Sequence, residues 1–390
     1  MTRAAFEQLG AIAEFINGAA FKPEDWGDYG ARIVRIQNLT DPTKPFNRTT
    51  RTVASQLHVH PGDLLVSWSA TLGVFEWPGP DVALLNQHIF RVVPDERKVD
   101  KRYLRHGLGQ ALLDMQRHLH GATMQHVNRG EFLSTLVYCP PLAEQRRIAD
   151  VLDRAEALRT KRRAALAQLD IMAQSIFLDM FGDPAKNPKG WPVSPFGELL
   201  ANIDSGWSPP CLDRPVENGE WGVLKLGAVT WCEYDPTENK ALPPGVEPDM
   251  DLEVRAGDLL FSRKNTQDLI AASALVLKTP PRLMMSDLIF RLRLRADAPM
   301  DVSFLHHLLM YPTKRKAIQR LAGGSAGSMP NISKARLASM LIEIPPLPLQ
   351  FAFAERLAAI QALKSSHRGS LAELDLLFAS AQHRAFRGEL

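Results

Sequence analysis

The chain has 390 residues, is 45% hydrophobic and 23% charged, and carries a formal net charge of only +3. This composition fits a soluble protein with two or three cored domains. It excludes a global basic field, so any nucleic-acid contact must come from local clusters. Three scattered cysteines (Cys139, Cys211, Cys232) lack metal-ligand spacing and suit a reducing cytoplasm. The apolar run at the N-terminus is too short for a signal peptide, and no run approaches the ~18 residues of a membrane span.

In chain order, residues 1–139 read as a first mixed domain. Short β-like runs (32–36, 63–68, 88–93) are separated by Pro, Gly, Asn and Asp turns, and a helix is predicted over 101–119. Residues 140–183 are rich in good helix formers, with no Pro after the opening pair and no Gly until Gly182. Val151, Ala155, Leu158, Ala165, Leu169, Met172 and Ile176 recur at steps of four and three, with Arg162 as the one polar slot. That is a coiled-coil seam, on a rod of about 60 Å that needs a partner helix. Residues 184–195 form a Pro-rich linker that cannot continue the helix.

Residues 196–344 repeat the first domain. The run from Val59 through Pro61, Gly62, Asp63, Leu64, Leu65 to Ser67 is matched by Val254 through Ala256, Gly257, Asp258, Leu259, Leu260 to Ser262. Ile89-Phe90-Arg91 is matched by Ile289-Phe290-Arg291, Asn17-Gly18 by Ser205-Gly206, and Thr123-Met124 before Asn128 by Ser328-Met329 before Asn331. Residues 345–390 repeat the long helix. A shift of 205 positions places the seam on Arg356, Ile360, Leu363, His367, Ser370, Leu374, Leu377 and Ala381, carrying Arg162 onto His367 and Phe181 onto Phe386. The fold class predicted is α+β: two similar mixed α/β domains and two long helices that pair as an antiparallel coiled coil, with a pseudo-twofold internal repeat. Arg162 and His367 are expected to face each other, as polar seam residues that fix register do.

Base-reading side chains are polar or basic and sit on strand ends and loops. The candidates in the first domain are Arg35, Gln37, Asn38, Arg48, Arg51, Trp68, Asn86, Gln87, His88, Gln125, Asn128 and Arg129. In the second they are Lys225, Ser262, Arg263, Lys264, Asn265, Ser328 and Asn331, with 262–265 expected as an exposed loop and 323–327 as a flexible run. An ordinary solvated surface is the competing reading for each. The acidic turn Asp95-Glu96 is contiguous, unlike the converging carboxylates of a metal nuclease. The pairs His58/His60 and His118/His120 have no cysteine or carboxylate grouping beside them. No nucleotide-binding glycine motif is present.

The segment 140–153 (PPLAEQRRIADVLD), the segment 180–192 (MFGDPAKNPKGWP), the two G-D-L-L-x-S motifs and the closing AFRGEL together resemble the specificity subunit of type I restriction-modification systems. The resemblance covers essentially the whole chain. It implies two target-recognition domains, each reading one half of a split double-stranded DNA site. It also implies a helical spacer that docks two methyltransferase subunits, with restriction/translocase subunits joining them, and a cytoplasmic location. By the same resemblance the chain is non-catalytic and holds no metal or cofactor, S-adenosylmethionine being expected on the methyltransferase partner. The second helix departs from the first: Leu349, Phe351 and Phe353 stand where Glu144, Arg146 and Ile148 stand. The alternative function is a coiled-coil scaffold holding two protein-binding domains without DNA, which steep salt dependence of DNA affinity would exclude.

Overall fold

The structure is a computed structural model that describes residues 6–118, 129–217, 219–323 and 329–390. The first part of the chain forms β1 (Phe6–Gln8), α1 (Leu9–Ile12), β2 (Ala13–Asn17), β3 (Ala31–Val34), α2 (Ile36–Thr40), β4 (Arg48–Thr49), β5 (His58–Val59), β6 (Leu64–Ser67), β7 (Gly73–Glu76), β8 (Ala83–Leu85), β9 (Ile89–Pro94), α3 (Lys101–His118), α4 (Arg129–Ser134), β10 (Leu136–Tyr138) and the long α5 (Leu142–Phe181). The remainder forms β11 (Val193–Pro195), α6 (Phe196–Leu199), β12 (Leu200–Ser205), β13 (Gly222–Leu224), α7 (Gly227–Thr230), β14 (Asn239–Ala241), β15 (Leu259–Ser262), β16 (Ser273–Leu275), β17 (Leu283–Met284), β18 (Ile289–Leu294), α8 (Val302–Met310), α9 (Pro312–Gln319), α10 (Lys334–Ala338), β19 (Leu341–Glu343) and the long α11 (Leu347–Ala385). The chain divides into two compact units: unit 1 joins Met1–Ala164 to His367–Leu390, and unit 2 is Ala165–Ser366. Each long helix contributes one part to each unit.

The two units share a topology. Unit 1 has an antiparallel sheet in the order β2-β9-β6-β7, a second sheet β4-β3-β8-β5 and the ribbon β1-β10. Unit 2 has β12-β18-β15-β16, β14-β13-β17 and the ribbon β11-β19. A parallel pairing, rare in hairpin-built sheets, recurs at the same place as β3 with β8 and β13 with β17. The place of β5 is held in unit 2 by a single bridge, Glu253 to Met284. Registers match as well: β6 sets Leu64 opposite Val92 and Ser67 opposite Ile89, and β15 sets Leu259 opposite Leu292 and Ser262 opposite Ile289.

The shared motifs explain themselves locally. Gly62 and Gly257 take φ of +84° and +93°, a turn conformation costly for any side chain. The next residue closes that turn, Asp63 accepting from the His60 amide and Asp258 from the Arg255 amide, each at 2.8 Å. The strand that follows is buried along its whole length. Gly18 and Gly206 lie against the carbonyls of Asn86 and Ser286, where a Cβ would collide with backbone.

In unit 2 the motif aspartate also meets Arg291, which is 3% exposed. Its guanidinium reaches Asp204 at 2.8 Å, Asp258 at 3.2 Å and the carbonyls of Asp251 and Glu253 at 2.6 and 2.9 Å. Burial by itself would raise the Asp204 pKa. The Arg293 and Arg291 guanidiniums overcome that and hold the carboxyl below its ordinary value of 3.8.

Both long helices start after a Pro-Pro pair and are pinned by one glutamine. Gln145 is fully buried; its amide donates to the carbonyls of Pro140 (2.7 Å) and Lys98 (2.9 Å) and accepts from Asp100 N (2.8 Å). Gln350, 205 positions on, donates to Pro345 (2.7 Å) and Pro299 (3.0 Å) and accepts from Asp301 N (2.8 Å). One side chain thus ties the start of α5 to the start of α3, and another the start of α11 to the start of α8. Gln145→Leu removes the side-chain partner of the Pro140 and Lys98 carbonyls and of the Asp100 amide, and is expected to destabilise unit 1 by about 2–4 kcal/mol. A urea midpoint within error of the parent would show that the pin contributes nothing.

The helices run antiparallel within each unit. In unit 1 Arg159 Nε bonds Asp375 at 2.5 Å with its guanidinium over the Phe378 ring at 4.3 Å, and Arg162 Nη1 meets His367 Nδ1 at 2.9 Å. In unit 2 Leu169, Ala173 and Ile360 pack together with Ile176 and Leu357, and Lys364 bonds Asp170 at 2.7 Å. The two ion pairs are repeat equivalents, Arg159 matching Lys364 and Asp170 matching Asp375.

The seam itself needs correction. Ala155, Leu169, Ile176, Ile360, His367 and Leu374 turn inward, but Val151, Leu158, Met172, Leu363 and Leu377 are 38, 51, 49, 53 and 62% exposed. Their places are taken one residue on, by Leu152, Arg159, Ala173, Lys364 and Phe378. Both stripes keep the 3-4 spacing. The apolar count favours the first; burial of Phe378 and the two cross-helix ion pairs select the second. The sequence leads to the expectation of no membrane span, and length and composition alone are a weak test of one. α5 meets that test by length and composition. The rings at its C-terminal end pack into a protein core: Phe177 and Phe181 lie 4.7–5.9 Å from Phe304 and Phe353.

Candidate nucleic-acid interface

At the end of β6, Trp68 stacks on Phe90 (centroids 5.7 Å, 25°) and meets His88 at 5.0 Å. His88 holds a positive φ of 70°, beside exposed Gln87 and half-exposed Asn86 at the end of β8. Arg129 opens α4, with Nη2 on the Phe15 carbonyl at 3.4 Å, and Phe15 packs edge-on to Phe90. Trp68 and Phe15 thus both pack on the Phe90 ring, with His88 against the first and Arg129 against the second. Arg35, Arg48 and Arg51 form a second group on the other sheet. Arg35 lies over Trp26 and bonds Asn47, Arg48 bonds the Gly30 carbonyl, and Arg51 bonds the Ala20 carbonyl and Asp25. Gln37 is exposed on α2. Asn38 is 6% exposed and its amide is committed to Arg35 N and the carbonyls of Lys44 and Pro45, so it shapes the loop rather than facing outward. Gln125, Asn128 and Ser328, with most of the 323–327 run, lie outside the described residues.

In unit 2 the exposed loop expected over 262–265 is only partly there. Ser262 is the last residue of β15 and fully buried. Asn265 is 5% exposed, its side chain held by Thr230 and the Thr266 amide. The strand runs one residue further than the polar composition suggested, because Ser262 pairs with Ile289. Arg263 and Lys264 remain half-exposed. Arg263 lies over the Phe290 ring at 5.2 Å, and Lys334 Nζ stands 5.8 Å from the same ring. Asn331 bridges to both Lys264 and Gly323. Lys225 sits apart, 3.3 Å from Glu238.

The sequence reading missed Lys334 and Arg336, which project from α10 immediately after Asn331. The signal was available in the run Ser333-Lys334-Ala335-Arg336, where Ser333 caps the helix. With them, Arg263, Lys264, Lys334 and Arg336 supply the local basic cluster that a net charge of +3 does not announce.

The platforms are equivalent. Trp68 follows Ser67 as Arg263 follows Ser262; their amides bond the carbonyls of His88 (3.2 Å) and Leu288 (3.0 Å), and they cover Phe90 and Phe290. The framework is constant and the side chain displayed on it is not.

Two other groupings have local explanations. Asp95 is closed on Arg97 at 2.9 Å within its turn. His106, Asp153 and Glu156 lie close enough to hold a cation, beside a cavity of about 270 Å³ lined by Leu112, Phe378 and Gln382. Arg105, however, already bonds Asp153 at 2.8 Å and Glu156 at 2.6 Å, making this an ion-pair net between α3 and α5.

Two α/β units of matched topology therefore carry different side chains at equivalent strand ends. Residues 4–168 match the family model described as the type I restriction modification DNA specificity domain. Over 168 residues, 43% of this chain, the sequence is 38% identical to the Escherichia coli type I restriction enzyme EcoEI specificity subunit, covering 28% of that relative. It is 28% identical over 167 residues to the Escherichia coli EcoBI specificity subunit, covering 34% of it, so the chain spans about a third of these curated relatives. Across 99% of the chain the fold superposes on a Mycoplasma genitalium type I S subunit with a TM-score of 0.57 at 11% identity, covering 97% of that subunit. It superposes with a TM-score of 0.54 at 18% identity on a chain of a type I R-M system described for its assembly and conformational transition, covering 98% of that chain. Residues 4–168 are thus similar to the DNA specificity domain of type I restriction-modification systems, and the fold over nearly the whole chain is like that of a type I S subunit.

Proposed function

We propose that the chain is the DNA-reading, non-catalytic subunit of a type I restriction-modification complex in the cytoplasm, each unit reading one half of a bipartite duplex site. The observation that carries this is the recurrence of one strand-end platform in both units with different side chains on it. Neighbouring cations contact phosphate, which positions the units without selecting sequence. The long helices serve as spacer. Their outer faces leave Leu158, Ile171, Met172, Leu363, Leu376 and Leu377 between 49 and 74% exposed. Such apolar exposure suits docking of methyltransferase subunits, which would bring S-adenosylmethionine, and through them restriction subunits.

The test is co-expression with the methyltransferase of the same system, mapping of modified bases, and titration of the complex onto a mapped duplex. The expected result is a two-part motif, with log affinity falling linearly against log salt and Lys334→Ala reducing that slope by about 1. No defined motif and a flat salt response would favour the protein-binding scaffold.

A further inference from the structure

Among the described residues, most arginines of unit 2 near the sheets are committed. Arg291 and Arg293 hold Asp204, Arg295 holds Asp297, and Arg336 bonds the Leu321 carbonyl. Arg263 differs. Its Nε is buried without a hydrogen-bond partner, and among the described residues the contact made by its guanidinium is with the face of Phe290. A half-buried guanidinium with unused donors is costly unless a ligand supplies acceptors. Asn331 Oδ1 is likewise buried and unpaired, on the segment bridged to Lys264, so the unmet polarity concentrates at one corner.

The surroundings favour a base edge over a phosphate as the ligand. Phe290 is fully buried in the sheet, and the Arg263 guanidinium carbon lies over its ring at 5.2 Å. A planar fork held in one orientation suits two parallel acceptors in a fixed geometry, and guanine O6 and N7 present such a pair in the major groove. Lys264 and Lys334, the latter also facing the Phe290 ring, can take the phosphates without Arg263. In unit 1 the equivalent position is Trp68, which has one N–H donor and cannot make a forked contact.

We propose that Arg263 reads one guanine in the half-site of unit 2, donating from its guanidinium to O6 and N7, and that unit 1 makes no contact of this kind at the equivalent position. This rests on the proposed DNA-reading function.

The test uses the assembled complex of the full chain with its methyltransferase. The modified motif is mapped first for the parent chain. Each guanine of both half-sites is then replaced in turn by 7-deazaguanine, which removes N7 while leaving the protein untouched. One guanine in one half-site is expected to lose about 5- to 100-fold in affinity. Arg263→Gln is expected to abolish sensitivity at that guanine and make the position degenerate in the remapped motif, leaving the other half unchanged. Arg263→Lys is expected to fold as the parent and keep a weakened guanine preference. The inference is overturned if the half-site that responds to Arg263 variants contains no guanine, if 7-deazaguanine has no effect there, or if Arg263→Gln weakens all sites uniformly, as loss of a phosphate contact would. Absence of any two-part motif for the parent chain would instead overturn the proposed function.

Discussion

Phe177→Ala is expected to cost unit 2 about 3–5 kcal/mol, read as a lowered urea midpoint with loss of near-ultraviolet dichroism. Phe177 is fully buried on α5. Its ring lies 4.9 Å from Tyr311, 5.1 Å from Phe181, 5.6 Å from Phe353 and 5.9 Å from Phe304. Rings from α5 itself, from α8 and its C-terminal end, and from α11 converge on it, so removal leaves a cavity whose aromatic walls cannot collapse independently. Phe177→Leu keeps most of the volume and is expected to cost less than half as much. Equal effects of the two variants would mean that the ring contacts, not the filled volume, hold this end of the helix pair.

Arg291→Met is expected to cost a comparable 3–5 kcal/mol at neutral pH, because the partners lose their cation while staying largely out of water. Asp204 and Asp258 have side chains only 13 and 18% exposed. The pH dependence identifies the cause. The folded Asp204 pKa lies below its ordinary 3.8, so its stabilising contribution is fully present above that value and is lost as pH falls through the lower folded value. The stability gap between parent and variant should therefore be widest at neutral pH and narrow below about pH 4. A gap that stays constant to pH 3 would assign the loss to packing of the arginine stem instead. Arg293, also 2.5 Å from Asp204, is half-exposed and should matter much less.

The repeat was legible because it rests on residues with one local job each. Gly62 and Gly257 need positive φ, Asp63 and Asp258 cap the turns, and Gln145 and Gln350 pin the helix starts; such requirements act over a few residues, so they leave matching letters at matching places. The helix pair was legible as a pair, and Arg162 with His367 does meet at 2.9 Å. Half of its inward stripe was not, because Leu158 and Arg159, or Leu377 and Phe378, are adjacent choices on one periodicity. An apolar count cannot weigh a guanidinium stacked on a ring 219 positions away.

The candidate interface shows the same divide. That polar residues after a β-strand would cluster was readable at 262–265, and Arg263 and Lys264 do stand there. That Ser262 and Asn265 turn inward, that Asn38 is spent on its own loop, and that Lys334 shares a ring with Arg263 depend on pairing across the sheet and on segments distant in sequence. The duplication, the long helices and the anchoring motifs were readable in the residues alone, since each follows from local backbone geometry and periodicity. Which stripe of each helix is buried and which cations share a platform emerged from folding, because those outcomes depend on contacts between residues tens to hundreds of positions apart.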